Sequence, residues 1–131
     1  MNYAGIFFII GRILYGGFFV TSGLKHFTRL EMMAGYAKSK GVPYPKAAVG
    51  GSGIMVILGG LGVVLGIQAE LSLLLIMLFL IPVTFQMHAF WADTDPNTKA
   101  SNTVNFGKNV ALFGAALIML TIPTPWPYSI Y

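Results

Sequence analysis

The stretch "LSLLLIMLFLIPVTFQMHAFWADTDPNTK", Leu71 to Lys99, decides how this chain folds. It begins as an apolar run from Leu71 to Phe90. A helix needs about 20 such residues to cross roughly 30 Å of hydrocarbon. Yet Gln86 and His88 stand near the end of the run, which then breaks into Asp93, Asp95 and Pro96. Polar groups in hydrocarbon are costly, so they are partnered or functional. The reading is a membrane helix with chemistry at one end.

Three further apolar runs of similar length, Ile6 to Leu24, Ala47 to Ile67 and Val104 to Ile122, surround it. The 131 residues are 56% hydrophobic and 9% charged, where a soluble domain carries about 25% charge. The connections after the second and third runs are short and force antiparallel neighbours. The expected fold is therefore all-α: an integral membrane four-helix bundle, up-and-down, in a single transmembrane domain over residues 1–131. The first run lacks a preceding basic region and holds Arg12 inside it, so it is expected to stay as a span, not to act as a signal peptide.

Charge orients the bundle. The first connection carries Lys25, Arg29, Lys38, Lys40 and Lys46 against Glu31, and the third adds Lys99, with Lys108 just inside the fourth run. The opposite side offers Gln68 and Glu70. The positive-inside rule makes the basic connections cytoplasmic and places both termini outside the cytoplasm. The tail "TPWPYSIY" then suits an outer aromatic belt.

Within the first connection, Thr28 and Glu31 have capping-box spacing, Phe27 and Met32 that of a hydrophobic staple, and Gly41 that of a helix stop. Phe27, Leu30, Ala34 and Ala37 recur at helical spacing. A short interfacial helix between the first two spans is expected, lying among lipid headgroups. The second run holds seven glycines, including Gly62 and Gly66 at GxxxG spacing, and so predicts close helix packing, within the chain or against a second copy.

Several function classes drop out. Zero cysteines remove thiolate ligands and iron–sulfur clusters, so redox chemistry needs a bound cofactor or a partner. The net charge of +4 is gathered in one connection and suits a membrane surface, not nucleic acid. Nucleophile-elbow, P-loop and dinucleotide motifs do not occur. The two histidines lack EXXH or HEXXH spacing, so no metal site is expected.

The remaining polar residues form two sets. Lys25 and His26 close the first span, and His88 and Trp91 close the third, sharing a helix face with Thr84. Asn105, Lys108 and Asn109 make one polar face of the fourth helix. These residues converge on one end of the bundle as a candidate ligand-binding wall, or else serve as interface anchors. A neutral imidazole beside a lysine suits acid–base or quinone work. Arg12 lies at the opposite end, with Glu70, lipid phosphate or a ligand as possible partners. Pro82 frees a backbone carbonyl and predicts a kink in the third helix.

Taken in order, "GRILYGGFFVTSGLKHF", "GYAKSKGVPYPKAAVGGSGIMVILGGLGVVLGI", "HAFWADTDPN" and "NFGKNVALFGAAL" resemble the segments of the DoxX family of small four-helix membrane proteins, over about Gly11 to Leu117. The resemblance rests on Arg12, Ser22-Gly23-Leu24 with Lys25, Gly41 and Pro43, Gly59-Gly60 with Gly66, His88 with Phe90-Trp91, and Lys108-Asn109. It implies a multi-pass protein of the plasma membrane, linked as a small subunit to membrane oxidoreductase systems that work at the quinone pool. Many members have a glutamate where this chain has Val56. If that glutamate pairs with the first-span arginine, Arg12 has lost its partner here. Two roles are expected: an accessory or quinone-proximal subunit of a redox complex, or a non-enzymatic assembly subunit. The second would bind lipid, other membrane helices or its own copies, and a soluble partner. Nothing in the sequence establishes an enzyme.

Overall fold

The computed structural model describes residues 1–130; Tyr131, the end of the aromatic tail, lies outside the described residues. Every regular element among the described residues is a helix. Helices α1 (Tyr3–Thr28), α3 (Pro45–Leu65) and α5 (Pro96–Leu120) and the segment Ala69–Ala92 are each long and apolar enough to cross a membrane. Within that segment, α4 (Ala69–Pro82) passes into a π-helical turn, Val83–Met87, and a single 3-10 turn, Phe90–Ala92. The short helix α2 (Leu30–Ser39) joins α1 to α3.

The helices start ahead of the expected spans because their first turns lie outside the apolar runs, while α3 and α5 each stop two residues short of them. Asn2 Oδ1 accepts the Gly5 N–H at 2.8 Å and starts α1 before Ile6. Pro45 occupies the first turn of α3, where its missing N–H costs nothing. Asp95 caps α5, accepting the Thr98 N–H and hydroxyl, each at 2.9 Å, so the helix gains two polar turns before Val104.

The expected capping box does not form. Thr28 ends α1, Arg29 alone separates it from α2, and no side chain caps the second helix. Glu31 instead pairs with Lys46 at 2.8 Å. The Arg29 carbonyl already accepts the Met33 N–H, so α2 starts without room for a capping loop. The stop at Gly41 does form. With φ +80 it lets its own N–H reach the Lys38 carbonyl and that of Val42 reach Ala37, a Schellman closure in which Val42 packs on Ala34, Ala37 and Val49.

Helix α3 is the centre of the bundle, gripped by α1 on one side and α4 on the other. The α1 seam depends on two glycine pairs seven residues apart. A Cβ on Gly60 would stand 2.6 Å from the Gly16 carbonyl oxygen, and one on Gly23 would stand 2.7 Å from that of Gly53. The glycine-rich helix thus finds its partners inside the chain. Phe19, Val56, Val63, Leu73, Ile76 and Leu80 fill the core between these helices. Helix α5 packs chiefly on α4 and scarcely approaches α1, although the Tyr15 hydroxyl donates to the Leu112 carbonyl at 2.7 Å.

Trp126 departs from the expected belt. It is 2% exposed and meets Phe8 edge-on, with ring centroids 5.4 Å apart, so the tail folds back as part of the core. Tyr128 stays half exposed.

Replacing Gly60 by Ile should lower stability by about 1–3 kcal/mol, because the seam cannot widen without losing contacts along its length. Gly11→Ala, where a Cβ meets nothing within 4 Å, should leave the melting temperature level or raise it. Thermal unfolding in detergent, both variants beside wild type, checks the pair.

Candidate functional site

The basic end of the bundle holds a partly open cavity of about 370 Å³. The last turns of α1 supply Phe18, Phe19, Ser22 and His26; α2 supplies Met32, Met33 and Tyr36 as its lid. The third span contributes Phe79, Leu80, Val83 and Met87 with His88, and α5 contributes Lys108 and Asn109. A second hollow of about 220 Å³ adjoins it beneath α2 and shares His26, Met33, Phe79, Val83 and Met87.

The irregular stretch after Pro82 aims His88. Proline removes a backbone donor, and the helix answers by widening to a π turn that displaces every later residue around the axis. Ideal helical spacing therefore misplaces the residues beyond the turn. Thr84 is buried, His88 reaches the cavity, and Trp91 is 56% exposed. It packs edge-on against Phe90 and Phe106 outside the cavity.

Behind His88 lies a polar chain. Its Nδ1 is 3.1 Å from Asn102 Oδ1. The Asn102 amide nitrogen donates to Asp93 Oδ2 at 2.8 Å and to the Tyr36 hydroxyl at 3.1 Å. The Tyr36 hydroxyl donates onward to the Met87 carbonyl at 3.1 Å. Lys40 grips Asp93 Oδ1 at 3.0 Å, and the Gln86 amide donates to the Lys40 carbonyl at 3.3 Å. The hydrogen bonds donated by Asn102 and Lys40 hold the Asp93 carboxyl below the usual carboxylate value, and donating to Asp93 holds the Lys40 ammonium above its ordinary one. Asp95 is likewise lowered by the Thr98 N–H it caps.

Other groups in the cavity keep spare capacity. Among the described residues, the Asn109 amide has no hydrogen-bond partner although it is 5% exposed. His26 Nδ1 donates to the Ser22 carbonyl at 2.8 Å, which leaves Nε2 free. Lys108 lies over the Phe18 ring at 5.4 Å and 3.5 Å from Asn105 Oδ1. A buried amide, two imidazoles and an ammonium within aromatic and aliphatic walls can hold an amphipathic molecule by its polar head.

Of the residues expected at this site, His26, His88, Lys108 and Asn109 converge on the cavity. Asn105 acts one step back, through Lys108. Trp91 and the exposed Lys25 do not line it. Arg12 belongs to the other end. Its Nε donates to the Val63 carbonyl at 3.1 Å and Nη2 to Val64 at 2.9 Å, while Nη1 donates to Pro127 at 2.8 Å. Glu70, the expected partner, instead accepts from the Thr124 hydroxyl at 3.3 Å. The carbonyls of a helix end in hydrocarbon need donors, and Arg12 is the donor that reaches them. Val56 is fully buried level with Gly23, eleven residues from Arg12 along α1, or about 16 Å at the helical rise. A carboxylate at position 56 would not meet Arg12 in this packing.

Asn102, Asp93, Lys40 and Tyr36 form a polar chain behind His88 that sequence reading did not assemble. The Asp93–Pro96 break puts Asp93 nine residues before Asn102, and the Asp95 cap that turns α5 back was the available signal.

The DoxX family model matches residues 7–89. The match covers α1 to the π turn and His88, and the resemblance expected on to Leu117 is not matched beyond residue 89. Comparison with curated proteins and with solved structures finds no match.

Two outcomes are expected from this geometry. The Lys40–Asp93 bridge ties α2 to the third connection while both groups are charged. Its contribution should be level between the two reference values, 3.8 and 10.5. It should fade as pH falls through the lowered Asp93 value below the first, or rises through the raised Lys40 value above the second. Hydrogen exchange of α2, with Asp93→Asn as the unbridged control, measures this. Arg12→Leu should cost about 1–3 kcal/mol for each carbonyl left unpaired and free the tail, seen as lower thermal stability and a red shift of Trp126 emission.

Proposed function

The chain belongs to the DoxX family, and from that premise we propose that it is a quinone-proximal small subunit of a membrane oxidoreductase complex, seated in the plasma membrane with its basic end toward the cytoplasm. The observation that carries this reading is the cavity. It is apolar along its walls and polar at His26, His88, Lys108 and Asn109, the division a ring with two oxygens and a lipophilic tail requires. The buried Asn109 amide and the Lys108 ammonium are donors suited to ring oxygens. Bound quinone supplies two-electron, two-proton chemistry; the residues of this chain bind and orient it. The cavity is partly open, as the entry of a lipophilic molecule requires.

A second reading, that of a non-enzymatic assembly subunit, draws on α5. Val104, Val110, Leu117 and Ile118 are exposed on it, and a Cβ on Gly107 or Gly114 meets nothing within 4 Å. Another membrane helix, from a partner or a second copy, can lie there.

Native mass spectrometry of gently solubilised protein separates the two. Wild type should release a quinone mass that His88→Leu and Asn109→Leu lose. Recovery of protein partners alone, unchanged by either substitution, would establish the assembly reading in its place.

A further inference from the structure

Donor and acceptor roles around His88 are over-determined. The ionised Asp93 carboxylate accepts only, so the Asn102 atom facing it at 2.8 Å is the amide nitrogen. The Tyr36 hydroxyl spends its hydrogen on the Met87 carbonyl and so must accept from the same amide nitrogen. Both constraints turn Asn102 Oδ1 toward His88, and an oxygen there can only accept. His88 Nδ1 therefore carries a hydrogen, and in the neutral ring Nε2 holds a lone pair. His26 is set the same way, because the Ser22 carbonyl opposite its Nδ1 is also an acceptor. Neither Nε2 has a partner among the described residues, and both rings line the cavity.

We propose that Asn102 is a positioning residue that holds His88 as its Nδ1–H tautomer, so that the cavity presents imidazole lone pairs and selects ligands by their hydroxyl hydrogens. A hydroxyl group meets both kinds of group on the wall: its hydrogen donates to one Nε2 while its oxygen accepts from Lys108 or Asn109. A ligand that only accepts, an oxidised quinone included, pairs with Lys108 or Asn109 but leaves the imidazoles unpaired, so the site favours hydroxyl-bearing ligands, the reduced quinol among them, over analogues that lack the hydrogen. The inference rests on the cavity being a ligand site, as proposed above, and not on the ligand being a quinone.

Two probes isolate the hydroxyl hydrogen: para-butylphenol and its methyl ether, which keeps the oxygen and loses the donor. With the full chain in nanodiscs and nitrogen-15 in its two histidines, the ring signals report the tautomer directly. Wild-type His88 should carry its hydrogen on Nδ1, and the phenol should bind at least about tenfold more tightly than the ether. Asn102→Leu should move the His88 hydrogen toward Nε2 and abolish that preference. Asn102→Asp combined with Asp93→Asn restores an acceptor at Nδ1 and should retain both properties. A wild-type ring protonated on Nε2, or equal binding of phenol and ether, overturns the inference. Equal binding alongside retained quinone affinity overturns it while leaving the proposed function standing. If phenol, ether and a short-chain quinone all fail to bind, both fall together.

Discussion

Hydrocarbon offers no water to a backbone carbonyl, and the end of α3 exposes four of them. Each finds a donor. Gly66, with φ +75, turns the chain so that its own N–H and that of Ile67 reach Gly62, while the Ile130 N–H reaches Leu65. The Val63 and Val64 carbonyls between them receive two nitrogens of the Arg12 guanidinium, whose third donates to Pro127 in the tail. One planar cation joins α1, the end of α3 and the returning tail. With that end fixed, Gly16 and Gly23 fall opposite Gly60 and Gly53, and the seam continues to the base of the cavity, where His26 sits against Gly53.

Satisfying carbonyls with a cation differs from pairing it with a carboxylate. A buried ion pair is held by a short, strong attraction between two groups, and removing either strands the other. Here the guanidinium is bound by several backbone dipoles spread over two segments, and the negative end of the α3 macrodipole adds to them. The arrangement tolerates Val56 in the core, because no buried acid is needed to neutralise Arg12.

Much of this was legible in the sequence because membrane helices must satisfy their own backbones, which makes apolar length a direct signal. The four spans, the Gly41 stop and the close packing of the glycine-rich helix all derive from local rules. What escaped depends on groups distant in the chain. Arg12 meets carbonyls 51 to 115 residues away, and carbonyls carry no mark in a sequence, whereas Glu70 does. The third span was legible to Pro82. Beyond it the π turn broke the periodicity that placed Trp91 beside His88, and the partner of His88 came from Asn102 on the next helix. His26, Lys108 and Asn109 were found because their helices are regular where they stand.

The two ends differ in what their polar groups face. At the tail end the Arg12 guanidinium donates and the carbonyls of α3 and the tail accept, so a charged residue inside the first span proves to be a staple, while the buried Trp126 Nε1 has no partner among the described residues. At the basic end the chain commits Asn102, Asp93, Tyr36 and Lys40 to a closed network, yet leaves an amide, two ring nitrogens and an ammonium facing an apolar space. Unspent polar groups in such a space cost stability unless something completes them. The network behind His88 shows that the fold has neighbours able to saturate a side chain there. The groups it leaves unsaturated are the ones the proposed ligand would fill.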